Sequence, residues 1–228
     1  MLIDLTHNDV EKLCLSVRSF GFGLLPGAIV PSVLRGLQHE ADERVGAAKL
    51  AQTSADFKYR ANITSLGPQA SDFLHSQQLT GLLATIFGER FVLTENRSCL
   101  TFYREGDHLG PHLDMPAEEC VVTIIVCIAA TGPAQRSPQT GLELRVYGQE
   151  MTSNRETRLT IPTHTGAIVV GRGSKFWHER PMLRKGEQAT ALTGCYGLAA
   201  RPDDTASDRN ASPRVPDGPG ASSASEER

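Results

Sequence analysis

The chain changes its periodicity once. Residues 8–19 and 31–51 carry apolar positions at helical spacing, the second stretch opening with Pro31, whose fixed φ suits a first helical turn, and showing Val33, Leu34 and Leu37 on one face. Between them GFGLLPGAIV reads as a short strand and turn. A third helix is expected from Ser71 to Gly88, with Phe73, Leu74, Leu79, Leu82 and Leu83 spaced for burial and Gly88 placed to end it. From Phe91 to Gly197 the helical period gives way to short β-rich runs, FVLTEN, CLTFY, CVVTIIVCIA, LELRVYG, RLTIP, GAIVVG, FWHERPML and ATALTGCYG, separated by Gly, Pro, Asn and charged turns. A helical front followed by about eight strands is an α+β layout. The expected organisation is one domain over residues 1–200, helical over 1–88 and a β-core over 89–200. Residues 201–228 hold no aromatic and almost no aliphatic side chain, too little burial to offset ordering entropy, so they are expected to form a disordered tail.

Charge and cysteine usage narrow the function classes. The net charge is −3 and no dense Lys/Arg field appears, which argues against a sequence-independent grip on nucleic acid. Five scattered cysteines, Cys14, Cys99, Cys120, Cys127 and Cys195, form no C-x-x-C pair and read as reduced thiols. The apolar stretch Phe20–Val30 is interrupted by Gly21, Gly23 and Pro26, unlike a signal peptide or a spanning helix. The expectation is a cytoplasmic protein, monomer or homodimer, with a small-molecule substrate and neither nucleic acid nor membrane as partner. Thr53–Gly67, with Arg60, has loop-like composition and is expected to contribute to a lid.

The candidate chemistry lies in TFYREGDHLGPHLDMP, residues 101–116. Gly110 and Pro111 forbid a helix there, and in an extended chain His112 and Asp114, two apart, project from the same face. They can offer one imidazole nitrogen and one carboxylate oxygen to a single cation, or simply pair with each other in a loop. A third ligand must come from another strand, and His178 in GRGSKFWHERPML is the later histidine inside a strong strand signal, whereas His164 lies in the turn-like PTHTG. Two His and one carboxylate leave open positions for a co-substrate and dioxygen, as in non-haem Fe(II) oxygenases. His108 and His112, four apart, would suggest a zinc pair on a helix, but the glycines and Pro111 rule that helix out. Trp177 reads as core.

The run from residue 18 to 197 resembles the 2-oxoglutarate- and Fe(II)-dependent dioxygenase superfamily, most closely its prolyl-4-hydroxylase-like and phytanoyl-like branches. CLTFYREGDHLGPHLD is similar to the family's Y-x-x-G-D-x-L-x-x-H-x-D segment, with Tyr103 nine residues before His112. TGLELRVYG resembles its G-G-E-L strand, with Leu142 in place of the second glycine, and TGAIVVGRGSKFWHERPML resembles the block that carries the distal His. The resemblance implies a double-stranded β-helix core (jelly-roll, cupin-like) with N-terminal helices packed on one face. It also implies Fe(II) held by His112, Asp114 and His178, with 2-oxoglutarate and O2 as co-substrates. Oxidative decarboxylation of 2-oxoglutarate to succinate and CO2 would then accompany oxidation, usually hydroxylation, of a substrate C–H. Because Asp114 keeps the carboxylate that related halogenases replace by chloride, halogenation is not expected.

One position departs from that pattern. The family places an Arg or Lys about ten residues after the distal His to pair with the far carboxylate of 2-oxoglutarate, and here that position is Gln188, whose amide lacks the charge. Four other residues are candidates for the role: Arg184, if the strand stays regular past Pro181; Arg145, from the strand LELRVYG; Thr190, sharing parity with Gln188; and Tyr103. The alternatives are an Fe(II)/O2 enzyme of the same fold that does not use 2-oxoglutarate, and a non-catalytic jelly-roll binding module. Three converging ligands argue against the last of these.

Overall fold

Capping chemistry sets the helical front. Helix α1 (His7–Phe20) begins with a reciprocal box, in which Asp9 N–H donates to Thr6 Oγ1 (3.2 Å) and Thr6 N–H donates to the Asp9 carboxylate (2.9 Å), and it ends at Gly21, whose φ of 80° needs glycine. Strand β1 (Phe22–Leu25) follows, then α2 (Pro31–Arg44). The helix expected over 31–51 stops at Arg44. Beyond it lie a 3-10 turn over Val45–Ala47 and strand β2 (Lys49–Gln52), paired with β3 (Tyr59–Thr64). Gly46 weakens helical continuation, and pairing to β3 takes the segment into the sheet, leaving Leu50 exposed. Residues 59–64, expected in a lid, are therefore a sheet strand. The single helix expected from Ser71 to Gly88 is two, α3 (Pro68–His75) and α4 (Gln77–Phe87). Ser76 breaks it, extended at ψ 140° and accepting from Leu79 N–H to cap α4.

The remaining strands are β4 (Phe91–Leu93), β5 (Cys99–Tyr103), β6 (His108–His112), β7 (Val122–Thr131), β8 (Glu143–Gly148), β9 (Leu159–Pro162), β10 (Ile168–Gly171), β11 (Trp177–Arg180) and β12 (Gln188–Leu198). This computed structural model describes residues 1–52, 58–132, 140–151, 154 and 156–200. The expected tail 201–228 and residues 53–57 of the expected lid lie outside the described residues. Met1–Leu198 forms one compact unit.

All pairings described are antiparallel, in the order β1-β10-β7-β12-β5-β3-β6-β11-β8-β9, with β2 added to β3 and β4 to β12. The sheet rolls over until its two ends face each other. Phe22 and Val169, from β1 and β10, pack on Leu144, Val146 and Ile161, from β8 and β9. This is a double-stranded β-helix with helices on one face.

Alternation decides which side chain faces what. Val122, Ile124, Val126 and Ile128 of β7, Leu100 and Phe102 of β5, and Leu192 and Tyr196 of β12 pack with Leu13, Leu37, Leu74, Leu79 and Leu83 of the helices. Fully burying one such leucine contributes about 1.5–3 kcal/mol. The Tyr196 hydroxyl donates to Leu74 O (2.7 Å), fixing α3 on the sheet. The alternate positions Tyr103, Ala189, Ala191 and Ala61 turn into the lumen of the roll.

Candidate metal centre

His112 is the last residue of β6 and stands directly opposite His178 on β11. The local sequence explains how it is aimed. Gly110 passes so close to β3 that a Cβ would sit 2.9 Å from Lys58 O, and Pro111 supplies no ladder donor. The β6–β11 register shifts across this stretch, from His178↔His112 to Arg180↔Leu109. Two residues on, Asp114 is held by its own N–H donating to Gly173 O (3.0 Å).

The three side chains converge. One ligand atom from each of His112, Asp114 and His178 lies within 4.8 Å of the others. Asp114 Oδ1 is 3.2 Å from His112 Nε2 and 3.7 Å from His178 Nε2, and the imidazole centroids are 4.2 Å apart. Ligand atoms at about 2.1 Å from one cation and at right angles stand about 3 Å apart, so the set fits a six-coordinate ion with small adjustment.

The surroundings select the atoms that face inward. His112 Nδ1 donates to Gly110 O (3.0 Å) and His178 Nδ1 to Phe176 O (2.9 Å). A carbonyl can only accept, so both Nδ1 atoms carry the proton and both Nε2 atoms face Asp114 Oδ1. Thr123, an inward position of β7, donates its hydroxyl to Asp114 Oδ2 and leaves Oδ1 facing the two imidazoles. A Cβ at Gly173 would collide with the Asp114 carboxylate and with Thr123 Oγ1. Burial, then the neighbouring His112, pushes His178 down to about 4 against the opposing pull of Asp114. Burial alone would raise Asp114, but the two histidines and the Thr123 hydroxyl hold it well below the usual carboxylate range. Near neutrality the centre thus presents a neutral His178 and an ionised Asp114.

The other sequence candidates separate. Tyr103 lies in the lumen, 6 % exposed, its phenol pushed up to about 12 by burial, with the Arg180 charge partly opposing. Gln188 is exposed and Thr190 half-buried, both on the face of β12 that carries Leu192 toward the helices, opposite Ala189 and Ala191. Arg184 lies in the β11–β12 turn, exposed, its N–H donating to Glu187 Oε2 (2.8 Å). Its even spacing from His178 loses meaning because β11 ends at Arg180, before Pro181. Arg145 pairs with Glu143 (2.7 Å) and Glu179 (3.7 Å), on the outer face opposite Val146 and His178. Trp177, expected as core, lines the mouth of the centre. There a cavity of about 700 Å3 is bounded by Tyr59, Leu109, Leu113, Met115 and Trp177, with Arg97 at its polar side.

Sequence reasoning missed three residues of this region. Thr123 and Gly173 act on Asp114 as described. Arg180, only 3 % exposed, is the next inward residue after His178 on β11. The period-two relation to His178 was the available signal for it.

No protein-family model and no curated protein matches the chain. Solved structures do. A prolyl-4-hydroxylase from Pseudomonas putida aligns at 16 % identity and a TM-score of 0.61, over 84 % of this chain and 100 % of that one. The epimerase SnoN of nogalamycin biosynthesis, in complex with Fe3+, alpha-ketoglutarate and nogalamycin RO, aligns at 14 % and 0.66, over 97 % and 95 %. A prolyl hydroxylase from Trichoplax adhaerens, in complex with a hypoxia inducible factor peptide fragment, aligns at 15 % and 0.63, over 89 % and 93 %. The chain therefore has the fold of the 2-oxoglutarate/Fe(II) oxygenases, as the sequence resemblance implied.

Proposed function

We propose that this chain is a non-haem Fe(II)- and 2-oxoglutarate-dependent oxygenase that oxidises a C–H bond of a small organic molecule, with His112, Asp114 and His178 as the iron ligands. The observation that carries this reading is the convergence of two proton-free Nε2 atoms and one free carboxylate oxygen on a single point of the lumen. Bound there, Fe(II) supplies one-electron chemistry with dioxygen at the coordination positions the protein leaves open.

The chain's own residues do the rest. Asp114 brings a negative charge to a divalent cation while the neutral His178 adds none, so metal binding releases few protons near neutrality. Thr123 and Gly173 fix the carboxylate so that one oxygen faces inward. The apolar walls at Tyr59, Leu109, Leu113, Met115 and Trp177 take up the body of a substrate and exclude water from its reacting carbon. A cavity of about 700 Å3 suits a metabolite, an amino acid or a natural-product intermediate. Hydroxylation is the outcome we favour, because Asp114 fills the position a halogenase would leave to chloride. The five free cysteines fit a reducing, cytoplasmic setting.

Gln188, exposed where the family pattern expects a cation, favours a second reading, an Fe(II)/O2 oxygenase that takes its electrons from the substrate. The two readings part on one measurement. Fe(II)-loaded protein given 2-oxoglutarate and O2 should form succinate with matching oxygen uptake, and His178→Ala should abolish both. Oxygen uptake that requires a substrate but yields no succinate favours the second reading.

A further inference from the structure

A second cavity, of about 440 Å3, opens between α1, α4 and the β10–β11 turn. It shares no lining residue with the cavity at the metal centre. Val17 and Ile86, both buried, and the rings of Phe87 and Phe176 give it apolar walls. Arg18, from the last turn of α1, and Arg172, from the β10–β11 turn, bring two positive charges to the same space. Neither arginine forms an ion pair with any of the described residues, and neither side chain donates a hydrogen bond to one.

Arg172 is not a loose surface charge. Its N–H donates to Gly21 O (2.9 Å), and its carbonyl accepts from Lys175 N–H (2.9 Å) and Phe176 N–H (3.1 Å), so the backbone that carries the side chain is fixed. The guanidinium lies over the Phe87 ring, with Cζ 5.3 Å from the centroid. Stacking uses the face of a guanidinium, whereas its N–H donors lie in the plane and stay available to an acceptor. Phe176 is set by the close passage of Gly21, where a Cβ would stand 2.2 Å from the ring. The cation and the rings are in place before a ligand arrives, which lowers the ordering cost of binding one.

The walls also set how much charge a ligand should carry. Against the two guanidiniums stand the C-terminal ends of α1, at Phe20, and α4, at Phe87, each worth about half a negative charge. The balance is about one positive charge. We propose that this cavity binds a small organic monocarboxylate, its carboxylate taken by Arg172 and Arg18 and its apolar body packed on Val17, Ile86 and Phe176. A planar carboxylate matches the in-plane donors of a guanidinium, and an apolar body gains burial against the walls. The metal ligands take no part in this site, so the proposal stands apart from the iron reading.

The test is calorimetry on the full-length, metal-free protein with 2-naphthoate and 2-naphthamide, which share one ring system and differ in charge. Working without metal keeps the carboxylate from coordinating iron. Wild-type protein should bind 2-naphthoate roughly 10-fold or more tightly than the amide. Arg172→Met should erase most of that gap, Arg18→Met should narrow it, and Arg97→Met, at the other cavity, should leave it unchanged. Wild-type protein that binds neither compound, or both alike, overturns the inference. So does an undiminished gap in Arg172→Met or a gap lost in Arg97→Met. Should Arg172→Met not fold, by far-UV circular dichroism, Arg18→Met decides, and an unchanged gap there overturns it. 2-Naphthyl phosphate, which carries more negative charge, should bind no more tightly than 2-naphthoate, and tighter binding overturns the assignment of a monocarboxylate.

Discussion

His178 and Arg180 are consecutive inward positions on one strand, and their surroundings are opposites. His178 sits among donors to a cation: Asp114 Oδ1 at 3.7 Å, the His112 ring at 4.2 Å between centroids, and its own Nδ1 occupied by Phe176 O. Arg180 is itself the cation, and Gly141 O, Thr163 Oγ1 and the Tyr103 ring give it no countercharge. One end of the lumen is a set of donors with the geometry for a cation, and the other is a cation among neutral acceptors. A buried group whose partners satisfy it is explained by the fold.

If the metal end is as finely set as its contacts suggest, small changes around Asp114 should weaken metal binding without unfolding the protein. Gly173→Ala should have the largest effect, because the new methyl group collides with the Asp114 carboxylate and with Thr123 Oγ1. Fe(II) affinity should fall by about 100-fold, the upper range for losing an outer-sphere partner. A milder cut is Thr123→Val, which frees Asp114 Oδ2 and should cost roughly 10-fold, read by the same titration. Unchanged Fe(II) affinity in both variants would contradict the role given to these contacts.

Acid should expose the metal end in the metal-free protein. His178 titrates at about 4 in the folded chain, against about 6.5 when unfolded. Between those values the unfolded chain binds a proton that the folded chain refuses. Stability therefore falls as pH drops from about 6.5 toward 4, at up to about 1.4 kcal/mol per pH unit from this group, and is unaffected by it above that window. Melting temperatures measured across the window should decline, and His178→Gln should flatten the decline. The smallest effect belongs to Arg145. Its pairs with Glu143 and Glu179 lie on the outer face, so Arg145→Ala should cost at most about 1 kcal/mol and leave the affinities for iron and 2-oxoglutarate unchanged.

The sequence carried His112 and Asp114 more clearly than the residues around them, for physical reasons. Gly110 and Pro111 force an extended chain, and in an extended chain His112 and Asp114 must share a face, so their convergence follows from local geometry. Thr123 and Gly173 reach Asp114 only after β7 and the β10–β11 turn have closed on it, and nothing local in either segment announces that meeting. Arg180 was within reach of the same period-two rule that relates it to His178. What placed Gln188 and Arg184 outside was the end of β11 before Pro181 and the course of the following turn, which alternation along the strand does not encode. The helical front shows the same limit. α1 was legible through its spacing, whereas the break at Ser76 turned on one capping serine, and β2 on a pairing partner farther along the chain.

The central claim is that the lumen closes around one iron. Its most direct measure is an anaerobic Fe(II) titration of the full-length protein by calorimetry, with bound metal counted after gel filtration, beside Asp114→Ala and His178→Ala checked for native circular dichroism. One iron per chain in the wild type and none retained in either folded variant is the predicted result. Equal metal content in all three, or none in the wild type, would contradict it.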